Sequence, residues 1–174
     1  QDGSAALSLG GQPVRHNFFG QSSFASHCLC TEANVVRVPA DVPDDVFELL
    51  GPLGCGIQTG AGAVINVLKP QLGQSLVVFS TGAVGMAGLM AARAIGVGTL
   101  IAVDKVPQRL ALARELGATH TIDASQVSDV PAEVRRITGR GANFSLDTTG
   151  VPMVTRQALD ALGPLGMCGF VGGA

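Results

Sequence analysis

The run Ser75-Leu-Val-Val-Phe-Ser-Thr-Gly-Ala-Val-Gly-Met-Ala-Gly88, continued by a helical segment and then Thr99-Leu-Ile-Ala-Val-Asp104, decides how the rest of the chain is read. Leu76 to Phe79 is a short unbroken apolar segment, the pattern of a parallel strand covered on both faces. A glycine-bearing turn follows, then about three turns of helix from Ala83 to Ile95, stopped by Gly96 and Gly98. Leu100 to Val103 is a second buried strand, and it ends in one carboxylate, Asp104. The spacing predicts a strand–helix–strand unit with a phosphate cradle at one end and a ribose anchor at the other. Gly82 lets the backbone approach a pyrophosphate, and the amides of the helix N-terminus meet its charge. Gly85 also lets the helix pack onto the strand. Asp104 falls about 20 residues beyond Gly85, where an adenosine ribose would offer two hydroxyls.

Read as G-x-G-x-x-G, the turn departs at its first position, which is Ser80. A serine keeps such a turn only where its φ stays negative. The plainer reading of the same residues is a tight strand–helix turn with an acid that caps a strand.

Composition narrows the class. With 174 residues, 47% hydrophobic and 14% charged, the chain suits one domain or one domain plus a piece of another. A mean hydropathy of +0.39 leaves ample material for a core and argues against disorder. Net charge is −2 and no basic run exceeds Arg135-Arg136, so neither a nucleic-acid partner nor an anionic membrane surface is expected. No apolar run approaches the roughly 18 residues of a spanning helix, and no signal peptide opens the chain. Cys28, Cys30, Cys55 and Cys168 form no C-x-x-C pair and read as reduced thiols, which points to the cytoplasm. The chain starts at Gln1 and stops at Ala174 just after a strand-like run, so both ends read as cut.

From Gln1 to Pro39 the texture differs from everything downstream. Phe18, Phe19, Phe24, Leu29, Val35, Val36 and Val38 alternate with polar residues, and Gly10-Gly11 and Asn17 punctuate them. That predicts about three short antiparallel strands, a β unit too small to bury its own core. His16 and His27 read as exposed strand or turn residues, and Cys28 and Cys30 as neighbours on one strand face. Asp41 is the N-cap candidate for the next helix. Gly54-Cys-Gly-Ile-Gln-Thr-Gly-Ala-Gly-Ala-Val64 then places Cys55 and Thr59 around the first turn of a helix reaching about Leu68. A thiolate at a helix start is favoured by unpaired amides, although such a cysteine is also a common packing residue.

Beyond Asp104 the alternation continues. Helices are predicted over Pro107–Leu116, Pro131–Thr138 and Pro152–Leu162, the last stopped by Gly163-Pro164. Strands are predicted over Thr119–Ile122, Asn143–Leu146 and Met167–Val171, with His120 a polar residue at a strand end. Five strands alternating with helices make an α/β doubly wound parallel sheet with right-handed crossovers. Its ligand edge is the set of strand C-termini at Ser80, Asp104, Asp123, Thr148 and Val171. The order 3-2-1-4-5-6 needs a sixth strand beyond these five.

Three segments together resemble the cofactor half of the zinc-type medium-chain alcohol dehydrogenases: Gly54 to Val64, the S-x-G-x-x-G turn from Ser80, and Ile101-Ala-Val-Asp104. Arg109, Asp147-Thr-Thr-Gly150 and Phe170-Val-Gly-Gly173 fall at matching points. Upstream, His16-Asn-Phe-Phe-Gly-Gln-Ser-Ser-Phe-Ala-Ser-His27 resembles the branch that oxidises benzyl and other aryl alcohols. The resemblance implies that residues 55–174 are a Rossmann dinucleotide-binding domain lacking its last strand. Residues 1–54 would then be a β remnant and connecting helix of a GroES-like catalytic domain.

It further implies Cys55 as a catalytic-zinc ligand and Thr59 beside the nicotinamide. Gly82, Ala83, Val84 and Gly85 would hold the pyrophosphate, Asp104 the ribose and Arg109 the adenosine side, with Thr148, Thr149 and Val171 lining the groove. The activity implied is zinc-assisted hydride transfer between NAD and a primary, aromatic alcohol or aldehyde, in a homo-oligomeric intact enzyme. Asp104 favours NAD by repelling a 2′-phosphate, though Lys105 follows it directly. The other zinc ligands would belong to a catalytic domain that these residues lack, so the chain as it stands suits dinucleotide binding better than turnover. A non-catalytic NAD(H)-binding or sensing domain is therefore the alternative. A short-chain dehydrogenase needs a tyrosine, and the chain has none; a methyltransferase leaves Cys55 to Thr59 unexplained; Cys55 argues against a zinc-free quinone reductase.

Overall fold

The computed structural model describes residues 7–14, 26–27 and 30–172. The chain divides into two compact units, Gln1–Asp44 and Asp45–Ala174. In the first, β1 (Leu7–Leu9) and β2 (Gln12–Val14) pair antiparallel around Gly10-Gly11. Both glycines have positive φ, 58° and 79°, as a two-residue hairpin turn requires. Residues 8–14 are all exposed.

Two expectations for this region fail. Val35 to Val38 form no strand: Val35 is extended (φ −121°, ψ 143°) after a 3-10 turn at Glu32–Asn34, but it has no ladder partner among the described residues. Nor does Asp41 cap a helix. Helix α1 (Asp44–Phe47) starts after Pro43, because the proline ring bars Val42 from helical backbone. His27 is exposed, as expected, and its ring nitrogen lies within hydrogen-bond distance of Ser26. His16, Phe18, Phe19, Phe24, Cys28 and Leu29 lie outside the described residues, and with them the pairing of Cys28 and Cys30 on one face.

The second unit is built on the predicted sheet. The strands β3 (Ser75–Phe79), β4 (Thr99–Asp104), β5 (His120–Asp123), β6 (Ala142–Asp147) and β7 (Leu162–Phe170) are all parallel, in the order β5-β4-β3-β6-β7. Reading β3 as the first strand, that is 3-2-1-4-5, with the crossover reversal between β3 and β6.

The side-chain period of two splits β3 between two cores. Leu76 and Val78 face α3 (Ala83–Ala94), α4 (Pro107–Glu115) and the π-helical turn Ala63–Leu68 that continues α2 (Gly56–Gly62). Val77 and Phe79 face α5 (Val130–Thr138) and α6 (Pro152–Asp160). All five β3 residues are buried, which is why Leu76 to Phe79 read as an unbroken apolar run.

The C-terminal end corrects a boundary. Gly163-Pro164 does not separate helix from strand: α6 ends at Asp160, and β7 begins at Leu162, opposite Ala142. The register slips before Met167 pairs with Phe144, and Leu165 stands fully exposed at φ 61°. A bulge absorbs the glycine and proline that the sequence presents as a stop.

Candidate functional site

All five strands end at one edge, and their following loops gather there. At the centre, Ser80 leaves β3 at φ 71°, in the left-handed region rather than at the negative φ expected for a serine. Its amide donates to the Val103 carbonyl at 2.8 Å. The Thr148 hydroxyl donates to the carbonyls of Phe79 (3.0 Å) and Ser80 (3.3 Å), tying the end of β6 to the turn. These bonds hold the serine in a conformation that costs about 1–2 kcal/mol for a residue with a Cβ.

The two glycines of the turn differ in kind. A Cβ built on Gly85 would stand 2.0 Å from the Ser80 carbonyl oxygen, so α3 can approach the turn only without a side chain there. Gly82 has ordinary extended backbone (φ −72°, ψ −170°), and a Cβ on it would meet no protein atom within 4 Å. Nothing in the fold asks for glycine at that position. No side chain caps the start of α3, and its first helical bond runs from the Met86 amide to the Gly82 carbonyl at 2.8 Å. Ala83 is exposed and Val84 half-buried beside this open amide end.

Asp104 closes the next strand and is 8% exposed. Its Oδ2 accepts from the Thr81 amide (2.7 Å) and the Thr81 hydroxyl (2.9 Å), and its Oδ1 from the amides of Lys105 (2.7 Å) and Val106 (3.0 Å). Burial pushes its pKa up, but these bonds to the ionised form outweigh burial, and the net shift is downward. The Arg109 guanidinium stands 3.9 Å from Oδ2 and is half exposed.

Asp147, 1% exposed at the end of β6, braces the neighbouring loop in a similar way. Its Oδ1 accepts from the Thr149 amide (2.8 Å) and hydroxyl (2.7 Å), and its Oδ2 from the Thr155 hydroxyl (2.6 Å). The Val171 amide donates to the Asp147 carbonyl at 3.0 Å, so Thr148, Thr149 and Val171 sit on one braced edge.

Between these loops lies a crevice of about 440 Å³, walled by Phe79, Ser80, Asp104, Lys105 and Thr149 among others. Val127, Met153 and Gln157 also line it and were not singled out from the sequence. Val127 and Met153 follow the ends of β5 and β6, where a doubly wound sheet keeps its ligands, while Gln157 lies inside α6, well past the end of β6.

Cys55 and Thr59 lie on the other side of the turn. Cys55 is exposed and Thr59 half-buried, its amide bonded to the Cys55 carbonyl at 2.8 Å. A Cβ on Gly56 would lie 3.6 Å from the Ala83 Cβ, which brings the start of α2 beside the start of α3. The structure thus gathers the candidate site residues around one sheet edge and two adjoining helix starts.

The model of the zinc-binding dehydrogenase family matches residues 83–174, more than half of the chain. This chain belongs to the zinc-binding dehydrogenase family. A geraniol dehydrogenase from Castellaniella defragrans is 48% identical over 171 residues, covering 98% of this chain and 45% of that protein. The crystal structure of a benzyl alcohol dehydrogenase from Acinetobacter calcoaceticus is 51% identical and superposes with a TM-score of 0.84, over 90% of this chain and 42% of that one. A zinc-binding alcohol dehydrogenase domain protein from Burkholderia ambifaria is 56% identical with a TM-score of 0.84, over 93% and 43%. The chain spans about half the length of the curated relatives it matches.

The zinc of the zinc-binding dehydrogenases does not fit the described residues. No three His, Cys, Asp or Glu side chains gather among them, and a catalytic zinc takes three protein ligands. No helix among them is long and apolar enough to cross a membrane.

Proposed function

We propose that this chain is the NAD(H)-binding portion of an alcohol dehydrogenase that interconverts a primary, aromatic alcohol and its aldehyde. Gly82 carries the reading. Its backbone angles suit any residue and its surroundings are empty of protein, so the missing side chain is explained by a ligand that comes close to the turn. A dinucleotide meets that need: its pyrophosphate would lie over Gly82 to Gly85 against the uncapped amides of α3. Asp104 and Arg109 would face the adenosine ribose, and Thr148, Thr149 and Val171 would flank the rest. When bound, NAD supplies the hydride acceptor at its nicotinamide ring. Thr59 would stand beside that ring, and Cys55 would be one thiol ligand of a zinc that the described residues alone cannot hold. The aromatic alcohol follows from the likeness to benzyl alcohol dehydrogenase and remains within the proposal, as do a cytoplasmic setting, a homo-oligomeric intact enzyme and a boundary between residues 54 and 55.

The test is titration of the chain with NADH and NADPH, followed by nucleotide fluorescence. NADH should bind, and NADPH about tenfold less tightly, a difference of about 1.4 kcal/mol. Asp104→Asn removes the charge that repels a 2′-phosphate, and should narrow that gap. Equal binding of the two nucleotides by the unaltered chain would count against the assignment of Asp104, and no binding of either would sink the reading.

A further inference from the structure

An ionised carboxylate offers roughly four lone-pair directions. In Asp104 the protein fills all of them, with donors at 2.7, 2.9, 2.7 and 3.0 Å. Three of these donors are backbone amides, fixed by the path of the chain. The fourth is the Thr81 hydroxyl, the one donor that can turn away about a side-chain bond. Thr81 is itself only 2% exposed, so its hydroxyl has no water to turn to.

The same two-donor clasp recurs at the sheet edge. Ser125 gives its amide (2.9 Å) and hydroxyl (2.6 Å) to Asp123 Oδ1, and Thr149 gives both groups to Asp147 Oδ1. In those two the clasp folds a loop back on its own strand end. Thr81 alone reaches across, from the end of β3 to the end of β4, onto a carboxylate that lines the crevice.

We propose that Thr81 sets the affinity for the adenine nucleotide, because its hydroxyl holds the lone pair of Asp104 that a ribose hydroxyl would take. Ligand and side chain compete for one acceptor. A ribose hydroxyl that wins it leaves a buried threonine hydroxyl without a partner, and the net gain from the new bond is small. This rests on the NAD(H) reading above and adds a residue that tunes it. Replacing Thr81 by valine keeps the shape and removes the competitor, so the incoming hydroxyl meets an open acceptor.

The test compares NADH binding by the unaltered chain, Thr81→Val and Thr81→Ser, with AMP and 2′,3′-dideoxy-AMP as probes. Thr81→Val should bind NADH and AMP about tenfold more tightly and leave dideoxy-AMP unchanged, while Thr81→Ser behaves as the parent. Unchanged or weaker NADH binding by Thr81→Val would overturn the inference and leave the NAD(H) reading intact. A second measurement needs no variant. The unaltered chain should prefer AMP over dideoxy-AMP by less than about tenfold, and a larger preference would overturn the competition. Failure of every nucleotide to bind would overturn this inference and the NAD(H) reading together.

Discussion

Gly60 and Val84 touch backbone to backbone: a Cβ built on Gly60 would stand 1.9 Å from the Val84 carbonyl oxygen. That contact fixes the distance between α2, which carries Thr59, and the first turn of α3. A carbonyl within a helix cannot move aside as a side chain can, so an added methyl must separate the two helices. Gly60→Ala should therefore lower stability by about 3 kcal/mol, the upper end of the usual overpacking range. Gly62→Ala is the control. Its Cβ would meet only Asn66 Nδ2 at 3.7 Å, and its backbone is helical (φ −64°, ψ −37°), so it should gain about 0.5–1 kcal/mol. Urea denaturation of both variants checks the contrast. A Gly60→Ala protein as stable as the parent would mean that the helices can separate freely.

Ser80 supplies a second prediction. Its φ of 71° is costly for a residue with a Cβ and free for glycine, while glycine adds disorder to the unfolded chain. The first effect is the larger. Ser80→Gly should raise stability by about 0.5–1 kcal/mol, or Tm by about 2–3 °C for a unit of this size. Ser80→Val, β-branched and worse suited to positive φ, should lower it by more than that. A thermal scan of the three proteins decides; a Ser80→Gly protein that melts earlier would mean that contacts of the serine side chain outweigh the strain.

The serine also marks where the sequence stops being legible. Leu76 to Phe79 can be read as a buried parallel strand because both of its faces are covered, and the spacing to Asp104 follows from strand and helix lengths alone. The sign of φ at Ser80 cannot be read, because it depends on bonds from Thr148 and to Val103, far apart in sequence. Gly163-Pro164 misleads for a similar reason: locally it is a stop, but pairing with β6 carries the strand across it as a bulge. Asp104 is recognisable as a strand-end acid. That Thr81 saturates it is a contact between two strand ends, and no local pattern announces it. Val127 and Met153 escape notice because apolar residues near strand ends look the same whether they line a crevice or fill a core.

Asp147 holds the loop that bears Thr148 and Thr149, through three hydrogen bonds at 1% exposure. Asp147→Asn keeps one acceptor and turns an amide donor toward a group that was donating. If Oδ1 keeps its two partners, the amide faces the Thr155 hydroxyl, which can reverse only if it finds another acceptor. The expected loss is about 2 kcal/mol, close to that of a buried charged hydrogen bond. Thr155→Val should cost about 1 kcal/mol alone, and little more when added to Asp147→Asn, because the two changes remove the same bond. Denaturation of the single and double variants measures the coupling. Strict additivity would show that the Thr155 bond does not support the loop.

Acid should reveal Asp104 in a different way. Its pKa lies below the ordinary 3.8: burial raises it, and the bonds from Thr81, Val106 and Lys105 outweigh that. Because the folded chain holds the ionised form more tightly than the unfolded chain does, Asp104 contributes stability that is fully present above about pH 5. That contribution falls as the pH drops through the ordinary value toward the folded one, and it is gone once both forms are protonated. Other carboxylates titrate in the same window, so the informative quantity is the difference between the parent chain and Asp104→Asn. Measured by urea denaturation from pH 7 to pH 3, the parent's advantage should stay level down to about pH 5 and then shrink. An advantage that grows on acidification would mean that the folded state favours the protonated acid, which four donors aimed at its oxygens make physically untenable.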